Sequence, residues 1–250
     1  MEDTSILEKR ENKIHLKPIL LFVGLFILEI VSGLLISLLV PSANPMRGTI
    51  VFFLSKVICV VVAIIVLRDQ FKESAIMVKR KPLNFIVYLV IAFVAFYLVE
   101  LGTSYYSMFM DKLFGVGEST NQSGINEMFK DSPTTLNYVL LFMTVVIIAP
   151  ILEELEFRVC TFEGLKGLHF LIPLFLSSTL FGLIHMSTLF SLKEWAYFPM
   201  YALPGLAFGI VYYFGGRNLF VDIACHSGIN LIAFIQIVTL INKATEVVEI

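Results

Sequence analysis

The chain has 250 residues, of which 58% are hydrophobic and 15% charged, and its formal net charge is −2. A soluble domain usually carries about 25% charged residues, and the mean hydropathy of +0.87 is that of a membrane protein. The near-neutral charge and the lack of a basic block with interleaved aromatic residues argue against nucleic-acid binding.

Apolar segments recur along almost the whole chain. A helix that crosses a bilayer needs about 20 mostly apolar residues, and seven segments meet or approach that length. They are apolar nearly all round, whereas the strands of a membrane β-barrel alternate with a period of two. The sequence therefore predicts an all-α membrane protein, a polytopic bundle of about seven transmembrane helices. The predicted spans are roughly 18–40, 50–67, 83–105, 136–160, 168–187, 195–214 and 218–241.

Basic residues near the first spans predict the orientation. The segment before the first span is rich in lysine and arginine, as is the loop between the second and third spans, whereas the intervening loop has only Arg47. Because such residues accumulate on the cytoplasmic side, we predict a multi-pass protein of the plasma membrane with a cytoplasmic tail at 1–17. A membrane domain at 18–241 and a short tail at 242–250 follow. The longest loop, 106–135, is then outside, as a flexible lid or a tether.

Three motifs place polar side chains within these apolar segments. They are EELEFR at 153–158, FGLIH at 181–185 and HSGIN at 226–230. Ionisable residues within membrane spans are rare, usually face a bundle interior or a water-filled cavity, and often mark functional sites. The three motifs therefore predict one buried reaction centre.

Spacing within the motifs predicts which side chains meet. Residues four apart share a helix face, so Glu154 can pair with Arg158 and Phe181 can pack beside His185. Glu153 is turned by about 100° from Glu154 on a helix of 3.6 residues per turn. We therefore expect one carboxylate to face the reactants while Arg158 holds the other.

The depth of the motifs in the membrane gives a further constraint. His226 and Asn230 are also four apart and can point into one cavity. At about 1.5 Å rise per residue, Glu154 falls near mid-membrane with them only if the fourth helix continues past Arg158 to about Lys166. The site therefore predicts a long or tilted fourth helix.

The three motifs resemble those of a known family. Their order and residue types are similar to the EExxxR, FxxxH and HxxxN motifs of the CAAX protease and bacteriocin-processing (Abi) family of intramembrane endopeptidases, and the match is sharp over about 149–230. The resemblance implies hydrolysis of a peptide bond by a glutamate-activated water. It also implies a peptide or membrane-protein substrate in the lipid bilayer, a class that includes prenylated proteins.

The resemblance also assigns roles to the residues. Glu153 is the first choice for the general base, assisted by His185. The oxyanion of the intermediate is stabilised by His226 and Asn230. The candidate catalytic residues are Glu153, Glu154, His185, His226 and Asn230, with Arg158 and Phe181 in supporting roles.

Other functions remain open at the level of sequence. Two histidines and a glutamate are a legitimate zinc set, so a zinc-dependent metalloprotease with ligands Glu153, His185 and His226 is an alternative. The HExxH spacing of many zinc proteases is missing, so we predict no cofactor as the main hypothesis. A transporter that relays protons, or a non-catalytic immunity or scaffold protein, would use the same polar residues differently.

Charged residues outside the motifs have simpler interpretations. Glu29, Lys56 and Glu100 lie in or near early spans, where snorkelling, local pairing or placement at helix ends would accommodate them. For Glu156 a structural role is favoured over a place in the site. Asp222 is expected at the membrane interface.

Overall fold

The computed structural model describes residues 14–248, with side chains described up to residue 241. Within that range the chain is all-helical, as predicted, and has nine helices when the continuous helix at Thr135–Gly164 is counted once. The helices are α1 Leu16–Leu39, α2 Arg47–Val66, α3 Arg68–Arg80, α4 Pro82–Phe114, α5 Thr120–Asp131, α6 Thr135–Gly164, α7 Leu171–Ile184, α8 Leu192–Phe214 and α9 Leu219–Val248.

All seven predicted spans are helices, which confirms a polytopic bundle. Five of them, α1, α2, α4, α6 and α9, are long and apolar enough to cross a membrane. The fifth predicted span is a shorter helix, α7, which has 14 residues and ends just before His185. The sixth span, α8, has 23 residues and contains two prolines, Pro199 and Pro204.

The predicted loop at 106–135 is largely helical, which corrects its description as a flexible lid or a tether. The third span continues as α4 to Phe114, and α5 occupies most of the remainder. Gly115 and Gly117 have left-handed φ angles of 60° and 67° and form the turn between these helices. The hydroxyl of Ser119 caps α5 by accepting a hydrogen bond of 3.2 Å from the N–H of Gln122.

The fourth predicted span continues well past Arg158, as the depth of the motifs required. Two stretches of α6, Met143–Ile148 and Glu154–Cys160, are π-helical. Pro150 lies between them and has no N–H to donate to the helix. π-Helical turns leave the regular hydrogen-bond ladder and often occur at functional sites. The first motif, EELEFR, therefore lies on irregular backbone, and the third motif, HSGIN, is on a helix that packs beside it.

The interior of the bundle surrounds α6. This helix packs against α1, α2 and α9, and α8 packs against α4, α7 and α9. Many large apolar side chains on the outer faces are exposed, among them Leu38, Leu39 and Leu98. Such a surface is stable in lipid rather than in water, so the fold is that of an integral membrane protein.

Candidate active site

One cavity of about 1360 Å³ collects side chains from all three motifs. Glu153, His185, His226 and Asn230 line it. Glu154 does not line it and is 0% exposed. The two adjacent glutamates therefore face different surroundings, as the rotation between them predicts.

Glu154 and Arg158 form a buried ion pair one helical turn apart. The distance from Arg158 Nε to Glu154 Oε2 is 3.0 Å, although the angle is not that of a hydrogen bond. Arg158 Nη1 donates to Ser177 Oγ at 2.7 Å, and that hydroxyl donates to the carbonyl of Phe157 at 2.7 Å. The guanidinium thus ties α6 to α7 while it compensates the charge of Glu154.

Aromatic rings cover the rest of the guanidinium. The Cζ atom of Arg158 lies 5.2 Å from the ring centroid of Phe181 and 5.3 Å from that of Phe208. A cation within about 6 Å of a ring centroid is attracted by the negative face of the ring. Phe208 also lies 4.6 Å from the ring of His226, centroid to centroid. The guanidinium is therefore enclosed by aromatic rings and Glu154 and does not line the cavity.

His226 connects the two glutamates. Its Nδ1 lies 2.9 Å from Glu154 Oε1, and its Nε2 lies 3.7 Å from Glu153 Oε2. A carboxylate oxygen accepts hydrogen bonds, so Nδ1 carries the hydrogen and donates a hydrogen bond to Glu154 Oε1. The Nε2 atom is thereby directed toward the cavity side of the site.

His185 follows directly after the last residue of α7. Its Nδ1 lies 2.7 Å from the carbonyl of Phe181, which makes Nδ1 the donor and leaves Nε2 as an acceptor when the ring is neutral. The ring stacks on Tyr201 with a centroid distance of 4.5 Å and an interplanar angle of 13°. Tyr201 in turn shares a hydrogen bond of 2.8 Å with Ser119. The imidazole is therefore fixed in orientation from two sides.

Asn230 is fixed by the first π-helical stretch of α6. Its Nδ2 donates to the carbonyl of Val145 at 2.9 Å. One N–H of the amide remains for another acceptor, because the amide nitrogen carries two hydrogens. Asn230 thus presents a donor to the cavity from a fixed position.

Charged residues that the sequence left outside the site also line this cavity. Lys56 Nζ lies 2.9 Å from Glu29 Oε1, which confirms local pairing for these two residues. Both nevertheless line the cavity beside Glu153, as do Glu100 and Glu156. The first helices of the bundle therefore contribute charge to the site, which their hydropathy alone did not indicate.

Asp222 lies in the interior, contrary to the expected position at the interface. It is 0% exposed, on the first turn of α9, and interacts electrostatically with Glu154 and Arg158. The helix end is covered by neighbouring helices, for example through the bond from the N–H of Leu219 to Ser74 on α3. Burial of this end follows from α3, which the span prediction did not include.

Three further residues that contact the site, Ser177, Tyr201 and Phe208, were not predicted from the sequence. Ser177 lies four residues before Phe181 on the same helix, so the spacing of four could have identified it. Tyr201 and Phe208 reach the histidines only because α8 packs against α7 and α9, and no local spacing predicts that contact.

The three donors of the zinc alternative, Glu153, His185 and His226, line one cavity. In the described part of the chain no group of three or more His, Cys, Asp or Glu side chains is already close enough together to hold a metal ion. The Nδ1 atoms of both histidines are engaged with protein acceptors, so a metal could be bound only through Nε2, as is common for histidine ligands. Zinc dependence therefore stays a prediction for the chelator test.

Fold and site together define a helical membrane protein with a buried glutamate–histidine cavity. Residues 135–232 match the family model described as type II CAAX prenyl endopeptidase Rce1-like. This match spans all three motifs and confirms the resemblance to the CAAX protease family over that segment.

A relative is found among bacterial proteins. An uncharacterized protein of Mycoplasma capricolum subsp. capricolum is 32% identical over 174 residues, which are 68% of this chain and 47% of that protein. The chain thus spans about half the length of the relative it matches. No solved structure matches.

Proposed function

We propose that the protein is an intramembrane endopeptidase that hydrolyses a peptide bond with a water activated by Glu153. The observation that carries the proposal is that the two adjacent glutamates occupy different positions. Glu153 lines the cavity, whereas Glu154 is held behind it by Arg158 and His226. The family match over 135–232 supports the reaction class.

The reaction needs a base, an acceptor for the water and donors for the oxyanion. Glu153 takes a proton from water, and the water oxygen forms a bond to the carbonyl carbon of the substrate. His185 accepts a hydrogen bond from that water through its free Nε2. When the C–N bond breaks, Glu153 returns the proton to the leaving nitrogen.

The negative charge on the carbonyl oxygen is stabilised by Asn230 and His226. Asn230 uses the N–H that does not bind Val145. His226 donates through Nε2 only as an imidazolium, because Nδ1 already donates to Glu154. Glu154 holds the ring through Nδ1, which gives the buried glutamate an orienting function without contact to the substrate.

The same proposal extends to substrate and location. The substrate is a peptide or membrane protein, and prenylated proteins are candidates because the matched family model describes a CAAX prenyl endopeptidase. The membrane domain at 18–241 lies in the plasma membrane with its N-terminus in the cytoplasm, as the distribution of basic residues indicates.

The test is cleavage of a quenched peptide panel by purified protein in liposomes. Wild type is compared with Glu153→Gln and His185→Ala, each with and without a chelator. Cleavage that is lost in both variants and insensitive to the chelator supports the proposal. Cleavage that the chelator abolishes and zinc restores would instead make the protein a metalloprotease.

A negative result also has a meaning. If folded wild type cleaves no peptide across a broad panel that includes prenylated substrates, the peptidase proposal fails, and a scaffold or transporter becomes the better hypothesis. Folding is checked by monodispersity in detergent, so that loss of activity is not confused with loss of structure.

A further inference from the structure

The cavity carries an excess of negative charge. Lys56 is its most deeply placed cation and is already paired with Glu29 at 2.9 Å. Arg47 also has a partner within the protein, because its Nη2 donates a hydrogen bond to the carbonyl of Ser37 at 2.8 Å. Six carboxylates line the cavity, against two lysine or arginine side chains and two histidines: Glu29, Glu100, Glu118, Asp131, Glu153 and Glu156, with Arg47, Lys56, His185 and His226.

Glu156 is one of these carboxylates and is almost fully buried. Its side chain lines the cavity, the residue is 5% exposed, and its Oε1 has no hydrogen-bond partner among the described residues. A buried carboxylate oxygen without a partner is costly. Lys56 attracts it electrostatically but forms its close ion pair with Glu29. The free oxygen therefore marks a place for a cationic or donating ligand.

The position of Glu156 relates it to the proposed chemistry. It follows Glu153 by three residues, within the second π-helical stretch of α6, and both line the same cavity. The two carboxylates interact electrostatically. A ligand group bound at Glu156 would thus lie near the peptide bond presented to Glu153.

We propose that Glu156 forms a specificity subsite for a lysine or arginine side chain of the substrate, close to the bond that is cut. The inference rests on the proposed function, since it names the substrate class of the same cavity. The ammonium or guanidinium group supplies the hydrogen-bond donor that Oε1 lacks and offsets the negative charge of the cavity. The substrate class is therefore a peptide with a basic residue next to the cleavage site.

Binding measured without hydrolysis gives the sharpest test. Fluorescent peptides that differ only by Lys or Met at one position, with that position scanned along the peptide, are titrated into the Glu153→Gln protein in liposomes. We expect at least tenfold tighter binding of the Lys peptide at one position. Addition of Glu156→Gln should reduce this ratio to below threefold. Addition of Glu100→Gln, a matched loss of charge in the same cavity, should preserve it.

The proposal is overturned if the Lys and Met peptides bind equally at every position, if neither binds, or if both glutamine variants reduce the ratio alike. Glutamine keeps the shape of glutamate, and a parallel measurement of the unfolding temperature verifies the fold of each variant. Failure of wild type to cleave any peptide would refute the endopeptidase proposal, while the binding ratio still decides whether Glu156 selects cations.

Discussion

Glu153 and Glu154 are neighbours in the sequence, yet their side chains contact different partners. Glu154 lies between Arg158 and His226, whereas Glu153 lines the cavity. A buried carboxylate is tolerated when a cation and hydrogen-bond donors compensate it. Arg158 and His226 therefore hold Glu154 away from the cavity, and Glu153 is the glutamate of the pair that a reactant in the cavity can meet.

Exchange of each glutamate for glutamine should separate these roles. Glu153→Gln removes the general base and is expected to lower kcat by at least about 10²-fold. Glu154→Gln removes the negative charge beside Arg158 and His226 without removing a group that lines the cavity. A smaller fall in kcat with little change in KM is therefore expected, together with a lower unfolding temperature because Arg158 loses its buried counter-charge. Steady-state kinetics on a cleaved peptide make the comparison, with Glu73→Gln, at an exposed position that does not line the cavity, as control. If Glu154→Gln loses all activity while Glu153→Gln stays active, the roles assigned to the two glutamates are reversed.

Asn230 should contribute to the transition state rather than to binding. Asn230→Ala removes an oxyanion donor and is expected to lower kcat by about 10²-fold to 10³-fold with KM nearly unchanged. The side chain also donates to Val145 at 2.9 Å, so the fold of the variant is checked by its unfolding temperature. A rise in KM at constant kcat would show that Asn230 binds substrate instead.

Ser177 should matter for stability through the buried arginine. In Ser177→Ala the Nη1 of Arg158 loses its acceptor at 2.7 Å, and the expected loss is about 1–3 kcal/mol of unfolding free energy. Thermal unfolding can be followed with a thiol-reactive dye, because Cys59, Cys160 and Cys225 are all buried. Ser104→Ala, at an exposed position, is the control. Equal unfolding temperatures of the two variants would contradict the expectation.

At the scale of elements, the irregular helix α6 organises the site. Its first π-helical stretch offers the Val145 carbonyl to Asn230, and its second contains both Glu154 and Arg158. A regular helix would use these backbone groups internally. At the π turns and Pro150, part of the regular backbone hydrogen bonding of α6 is replaced by contacts with α9 and α7. These contacts fix the proposed catalytic groups.

The contact between α7 and α8 should be sensitive to added volume at Gly182. A Cβ there would lie 2.7 Å from Cε2 of Phe198 and 3.1 Å from Cβ of Ala202. Gly182→Ala should therefore force the helices apart and cost about 1–3 kcal/mol, with reduced cleavage because His185 follows on α7. The thiol-dye assay measures it, and Gly102→Ala, where nothing lies within 4 Å, is the control. An unchanged unfolding temperature for Gly182→Ala would show that the Phe198 ring shifts to accommodate the added methyl group without loss of stability.

At the scale of the whole molecule, α5 is joined to the helix that orients His185. Tyr201 shares a hydrogen bond of 2.8 Å with Ser119, and the hydroxyl of Tyr197 donates to the carbonyl of Gly117. Thr120 donates to Glu194 at 2.5 Å. These bonds connect the segment before and within α5 to α8, so the segment once expected to be a loop covers one side of the cavity.

Tyr201→Phe should loosen this connection without loss of the stacking on His185. The variant lacks the hydroxyl that meets Ser119 and Asn121, so amide hydrogen exchange over 117–131 is expected to increase severalfold, as local opening becomes easier. Hydrogen exchange followed by mass spectrometry measures it, with the exposed Tyr105→Phe as control. Exchange that matches wild type over this segment would show that other contacts hold α5.

Local spacing accounts for the parts of the site that were predicted. The separation of four residues placed Glu154 beside Arg158 and Phe181 beside His185, and both contacts are present. Ser177 obeys the same rule and was overlooked. Residues that meet through helix packing, such as Tyr201 against His185, have no such signal because their spacing in sequence carries no information on which helices are neighbours.

The sequence by itself determined the membrane class, the seven apolar segments and the motifs, because hydropathy and the period of a helix are local properties. The tertiary structure decided that Glu29, Lys56 and Glu156 share the cavity with Glu153 and that Asp222 is buried. Helices that are apolar nearly all round give little indication of which face meets which neighbour. Only their packing brings these charges together.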